Sequence, residues 1–363
     1  MDKIEMMIVL WALAAFAAAG IIAFATTPIV KILAQKVGAM DVPKDSRRMH
    51  KVPIPRMGGL AIFLGFLFSV LLFVDINRQM QGILIGAVVI VVLGIVDDIM
   101  PLNALLKLIV QIFAALIVVY HGTQISIFSN PNIFSDNPYI SLGMWSVPIT
   151  VIWIVAITNA VNLIDGLDGL AVGVSSIASF SLLIIAIIVS ERNVALIMAA
   201  LAGACIGFMP YNINPAKIFM GDTGSTFLGF ILATISIQGL FKFYALVSFA
   251  VPFLILGLPI FDTMFAIGRR VIHGKSPMSP DRGHVHHRLI DMGFNQKQSV
   301  TILYLMSGLL GLAAVVLTSS GEIKALFLVL AVILAIVIGA KIFMEVSKQN
   351  NHDDAPPDTD KHE

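Results

Sequence analysis

The sequence predicts an all-α, polytopic integral membrane protein with about eleven transmembrane helices, its N-terminus outside and its C-terminus cytoplasmic. Three observations carry that prediction. The 363-residue chain is 58% hydrophobic and only 12% charged, against the ~25% charge of a soluble domain. Apolar runs of about 20 residues, the length that crosses a hydrocarbon core, recur along nearly all of it. Its Lys and Arg residues also collect in alternate connections. When the connections are assigned to the two sides in turn, eighteen of the 23 fall on one side and five on the other. The positive-inside rule then makes the richer side cytoplasmic.

Helices are expected over about 6–30, 58–75, 81–97, 104–120, 147–163, 169–190, 194–210, 226–240, 243–262, 300–318 and 323–345. The first follows Asp2, Lys3 and Glu5, which are not net positive, and it outlasts a signal-peptide h-region, so it reads as an uncleaved helix. The second begins at Gly58-Gly59, after a basic loop, DVPKDSRRMHKVPIPRMGG, that its prolines stiffen. That loop is also explained by topology and attraction to anionic lipid. The third ends on Asp97-Asp98, after VVIVVLGIV. The 121–146 connection has no Lys or Arg. Residues 1–345 read as one polytopic domain, and 346–363 as a polar cytoplasmic tail expected to be disordered. Cys205 is the only cysteine, which excludes an intrachain disulfide. A net charge of +1 points to no nucleic-acid partner.

The unusual chemistry lies in the connections assigned to the cytoplasm. Asp97-Asp98, Asp165 with Asp168, Asp222 and Asp262 all sit at the cytoplasmic ends of spans. Any one of them can be a cap or a wet boundary residue. Together, carboxylates converging at one membrane face suggest a shared cation, because mutual repulsion would otherwise raise their pKa values. Oxygen-only ligands suit Mg²⁺ or Mn²⁺. In NLIDGLDG, the spacing of three puts Asn162, Asp165 and Asp168 on one side of a helical or near-helical segment. Gly166 and Gly169 leave room for a close approach there.

FMGDTGS around Asp222 lacks the second copy that soluble aspartic proteases need, and Phe219 stands where intramembrane aspartic proteases carry Gly. No Gly-Lys-[Ser/Thr] follows, so it is not a Walker A loop. An acid between two glycines, followed by hydroxyls near a helix start, fits a metal–phosphate seat. In DRGHVHHRL, His284, His286 and His287 lack a fourth ligand for structural zinc. Solvated loop histidines and anion recognition by imidazole and guanidinium donors, Arg282 among them, both remain open.

The motifs RMGG (56–59), GIVDD (94–98), NAVNLIDGLDGLA (159–171), NINPAKIFMGDTGS (212–225), PIFDT (259–263) and the HVHH loop (284–287) resemble the polyprenyl-phosphate N-acetylhexosamine-1-phosphate transferases. The likeness covers roughly residues 20–345. It is strongest to the bacterial undecaprenyl-phosphate N-acetylglucosamine-1-phosphate transferases, which initiate wall teichoic acid or other cell-envelope glycans. The resemblance implies Mg²⁺-dependent transfer of a sugar phosphate from UDP-N-acetylglucosamine to undecaprenyl phosphate at the cytoplasmic face of the bacterial membrane.

It further implies Asp222 as the Mg²⁺ ligand, with Asp97 and Asp98 near the lipid phosphate and one of them as a base. Asp165 and Asn162 would be further active-site groups. Lys51, Asp168, Asn212 and Phe219 would contact the uridine or its phosphates, and the histidines the sugar or phosphate. The family often carries another charge three residues after the paired acids, where this chain has Pro101. The rival readings are phospho-N-acetylmuramoyl-pentapeptide transferase, which carries an uninterrupted histidine triplet, and a cation-coupled transporter, whose acids lie near the bilayer midplane. Oligomeric state stays open, a homodimer included.

Overall fold

A computed structural model of the chain describes residues 3–43, 52–129, 139–240, 247–272, 274 and 284–320. Twelve helices run through these residues: α1 (Lys3–Val37), α2 (Gly59–Phe73), α3 (Arg78–Ile99), α4 (Ala104–Tyr120), α5 (Ser146–Leu163), α6 (Leu170–Ile188), α7 (Arg192–Asn212), α8 (Gly221–Leu240), α9 (Val247–Ile255), α10 (Gly257–Ile272), α11 (Val285–Asp291) and α12 (Gln296–Ser320). Six of the described helices are long and apolar enough to cross a membrane, and α2 and α4 are shorter apolar helices. The chain is a helical, multi-pass membrane protein.

The first ten expected segments all carry helix, with instructive changes at their ends. At 1.5 Å per residue, α1 is about 52 Å long, well beyond a ~30 Å hydrocarbon core. Its apolar run stops where lipid would stop, but its hydrogen bonding continues. The expected single helix at 243–262 is instead α9 and α10, and α10 continues through residues read as loop. The connection 263–299 also contains α11. Two short antiparallel pairs, β1 (Met40–Asp41) with β2 (Ile54–Pro55) and β3 (Ile127–Ser129) with β4 (Tyr139–Ser141), were not expected. The eleventh predicted span, 323–345, and the tail, 346–363, lie outside the described residues.

Small residues set the helix spacing. Along α1, Ala12, Ala15, Ala19 and Ala23 are buried. A methyl on Gly203 or Gly207 of α7 would strike the α1 backbone at Phe16 or Gly20. Close backbone approach replaces water exclusion as the source of helix association in lipid. The same device builds the end of the bundle that carries the acidic motifs. Helix α8 packs between α3 and α5, and a Cβ on Gly94 of α3 or Gly59 of α2 would collide with the first turn of α8 at Thr223 or Gly224. These glycines bring three helix ends close enough for short acidic side chains to meet.

Candidate active site

Asp97 and Asp98 occupy the last turn of α3, where the helix dipole disfavours anions. The tertiary structure offsets that cost by aiming Asp98 at the N-terminus of another helix. Its Oδ1 accepts from the Asp222 amide at 3.0 Å, and its Oδ2 from the Thr223 amide at 3.1 Å and the Thr223 hydroxyl at 2.6 Å. Asp98 therefore caps α8 from outside the helix, and its side chain is 0% exposed. Asp97 is held differently: the Leu102 amide donates to one oxygen at 2.7 Å and Lys107 to the other at 3.0 Å.

Asp222 lies in the first turn of α8 and is the most open of the three, with its side chain 17% exposed against 10% for Asp97. Both of its oxygens face cations. Lys107 Nζ is 3.0 Å from Oδ2, and an Arg56 terminal nitrogen is 3.6 Å from Oδ1. Arg56 Nε also lies 3.4 Å from Asp98.

The NLIDGLDG stretch does not keep its three polar residues on one face. Helix α5 ends at Leu163, and Gly169 adopts φ +79°, so the i, i+3 relation lapses after Asn162. Asn162 donates to Ser225 of α8 at 2.8 Å. Asp168 instead turns to the loop after α7, accepting from Asn214 and the Ala216 amide, each at 3.0 Å. Asp165 remains among the acids. Part of the residue stays open to solvent, yet surrounding protein raises its carboxyl to about 7, with the Asp222 charge adding to the effect. That is the repulsion expected of converging carboxylates.

Asn212 is buried, its oxygen taking the Gly169 amide at 3.2 Å and its amide donating to the Ile218 carbonyl at 3.0 Å. Its side chain ties the two motif loops together. Phe219 is half-buried, and its backbone pairs with Pro55 and Gly58. Lys51 and Arg282 lie outside the described residues.

The histidine loop packs onto this cradle. Asp262 of α10 pairs with His284 Nδ1 at 2.8 Å and accepts the Val285 amide at 2.7 Å, which anchors the start of α11. His284 and His286 are buried, at 5% and 3% exposure, so neither is a solvated loop histidine. His287 is half-buried and touches the His286 ring, with centroids 4.3 Å apart. The His286 ring rests on Gly166, where any Cβ would collide with it. The room foreseen at Gly166 is thus occupied by a histidine, and that at Gly169 by Tyr304, whose hydroxyl donates to the Gly169 carbonyl at 2.6 Å.

Burial, reinforced by His287, lowers the His286 imidazole from 6.5 to about 4. Between those values the unfolded chain binds a proton that folded His286 refuses, so its contribution is complete above about 6.5 and declines as pH falls toward 4. His286→Gln is expected to flatten the drop in apparent melting temperature between pH 7 and 5; an unaltered drop would refute this. Gly166→Ala is expected to cost about 1–3 kcal/mol by overpacking and to release the ring. The His286 titration followed by NMR should then move back toward 6.5, and a ring still neutral at pH 5 would show that it had not moved.

Among the described residues, no three His, Cys, Asp or Glu side chains form a metal cage. Mg²⁺ seldom uses one: it commonly takes one or two carboxylates and completes its shell with water and substrate phosphates. Asp222, with Asp97 sharing the same lysine, fits that donor set, and two side-chain cations already mark the place as a seat for positive charge.

Two cations of the cluster, Lys107 and Arg56, have no site role in the sequence reading. A lone charge inside an apolar run such as ALLKLIVQ, here Lys107, is itself a functional signal that could have found it. Arg56 stood in RMGG without a role. Asp262, recognised as an acid at a span end, had no assigned partner.

Comparison with known proteins bears directly on this arrangement. The family model for glycosyl transferase family 4 matches residues 80–240, which include all four acids of the cluster. A Bacillus subtilis (strain 168) protein, named as a probable undecaprenyl-phosphate N-acetylglucosaminyl 1-phosphate transferase, is 41% identical over 317 residues, or 87% of each chain. The chain belongs to the polyprenyl-phosphate N-acetylhexosamine-1-phosphate transferase family. Similar too is a decaprenyl-phosphate N-acetylglucosaminephosphotransferase of Mycolicibacterium smegmatis, 34% identical over 88% of this chain and 86% of its own. A phospho-N-acetylmuramoyl-pentapeptide-transferase of Staphylococcus aureus is 34% identical over 73% of this chain and 86% of its own. In this phosphotransferase the acids, Arg56 and Lys107 occupy one cluster where α2, α3, α4 and α8 begin or end.

Proposed function

We propose that the chain transfers N-acetylglucosamine-1-phosphate from UDP-N-acetylglucosamine to undecaprenyl phosphate, releasing UMP. This would be the first membrane step of a cell-envelope glycan such as wall teichoic acid. The observation that carries the reading is the partly open Asp222, flanked by Asp97 and two cations at the start of α8, in a chain 41% identical to a named N-acetylglucosaminyl 1-phosphate transferase. The longer match to that relative favours it over the pentapeptide branch. With about eleven spans in the bacterial cytoplasmic membrane, the Lys/Arg asymmetry supports an N-terminus outside and a site facing the cytoplasm.

Asp222 would hold Mg²⁺, or Mn²⁺ in its place, with Asp97 beside it. The ion would supply neutralisation of the diphosphate charge. The rest of the task is positioning. A phosphate monoester has its second pKa near ~6, so the lipid acceptor is mostly dianionic at neutral pH and has little proton left to lose. Lys107 and Arg56 lower the repulsion between two anionic substrates, as phosphoryl transfer generally requires. Asp97 and Asp98 both have their oxygens engaged by donors, which favours orienting roles over proton abstraction. Phe219 and the histidine loop flank the cradle where a nucleotide sugar would lie.

The test is purified protein with undecaprenyl phosphate, Mg²⁺ and competing UDP-sugars, following UMP and the lipid product. UMP from UDP-N-acetylglucosamine, lost on chelation or without acceptor, is the expected result. Absence of Mg²⁺-dependent UMP from every UDP-N-acetylhexosamine would sink the proposal. Turnover of the muramoyl-pentapeptide donor alone would assign the other branch, and ion uptake into vesicles without UMP would indicate a transporter.

A further inference from the structure

Arg56 stands on a braced stretch of backbone. Its amide donates to the Ala39 carbonyl at 2.9 Å, and the next two amides beyond Met57 donate to Phe219 and Met220 at 2.9 and 2.8 Å. Met57 itself is held at φ +73°, a left-handed conformation that is unfavourable for a non-glycine residue. This small loop therefore presents Arg56 from a fixed position beside the start of α8.

Its guanidinium is nevertheless loosely held. The distances of 3.4 and 3.6 Å to Asp98 and Asp222 exceed the ~2.7–2.9 Å of a charge-assisted hydrogen bond. Lys107 lies at 3.0 Å from both of its carboxylates. Asp98 already has three other donors and does not depend on Arg56. A divalent ion on Asp222 meets positive charge at both carboxylate oxygens, and one of the two cations must withdraw. Arg56 has the longer contacts and the more exposed side chain, 34% against 27% for Lys107, so its release costs less. A freed guanidinium beside a diphosphate offers a planar, bidentate donor pair that an ammonium cannot.

We propose that Arg56 is an exchangeable counter-charge: it yields Asp222 to the divalent cation and turns to the diphosphate of the nucleotide sugar, which makes metal and nucleotide binding cooperative. The inference rests on the metal-dependent transfer proposed above. By linkage, each ligand then strengthens the other by the same factor.

The experiment measures Mn²⁺ affinity by EPR on the full chain in nanodiscs without lipid acceptor, with and without UDP-N-acetylglucosamine. Binding of Mn²⁺ by the free nucleotide sugar is subtracted equally for every variant. In the unaltered protein, the nucleotide sugar is expected to tighten Mn²⁺ about tenfold or more. In Arg56→Gln, Mn²⁺ alone should bind about threefold or more tighter, because its competitor is gone, and the coupling should fall below about threefold. Arg56→Lys should lie between on both measures. Unchanged or weaker Mn²⁺ binding in folded Arg56→Gln, or coupling equal to that of the unaltered protein, overturns the proposal. An Asp222→Asn arm separates the two levels. Mn²⁺ binding that survives it defeats the metal assignment itself, whereas binding that needs Asp222 but ignores Arg56 defeats only the exchange.

Discussion

Asp222→Asn is expected to lower UMP release by on the order of 10³-fold while leaving the fold intact. The two effects separate because of where the carboxylate points. Among the described residues, the side chain of Asp222 accepts from no helix amide; it faces Lys107, Arg56 and the Asp97 carboxyl, and the Asp222 backbone amide is what the Asp98 cap holds. The amide variant keeps the shape and the cap and removes the negative charge proposed to hold the divalent ion. Lys107 retains Asp97 and Arg56 retains Asp98, so neither cation is stranded. Radiolabelled UMP release, together with the apparent melting temperature in detergent, measures both parts. Activity within tenfold of the unaltered protein would remove Asp222 from the centre of the mechanism.

Asp98→Asn is expected to do the reverse in one respect: it destabilises the protein, by about 2–4 kcal/mol, and takes activity with it. An amide has one oxygen, where three donors and the Arg56 guanidinium now share two. Its NH₂ group would face the Thr223 amide or Arg56, donor against donor, in a site closed to water. The start of α8 should then shift, carrying Asp222 away from Lys107. Loss of activity should be uniform across pH values above the lipid phosphate's second pKa, because a cap rather than a base has been lost. A defect confined to low pH, with an unchanged melting temperature, would restore the base assignment.

Much of the architecture was legible in the residues themselves. Helix α8 illustrates what was and was not. Its apolar run announced a span, and Gly-Asp-Thr-Gly-Ser announced a helix start with an acid in it, but the helix begins five residues before the expected 226. Polar residues that cap a helix look like loop when their partners are unknown. Asp98 shows the same gap more sharply. It read as an anion at the wrong end of a helix, and only its partner, 125 residues away at Thr223, turns it into a cap at the right end of another. The α9–α10 break and the short α11 were hidden because an apolar run does not record where it bends, nor a basic loop where it docks.

By itself, the sequence determined the membrane class, the approximate helices and the set of motifs, because hydropathy, charge count and short-range spacing are properties of contiguous residues. The tertiary structure alone decided which groups meet: Asp98 with the α8 amides, Asp222 with the two cations, and the His286 ring against Gly166. Those pairings join segments far apart in the chain, and glycines that let backbones touch are what bring them within the few ångströms over which a hydrogen bond forms.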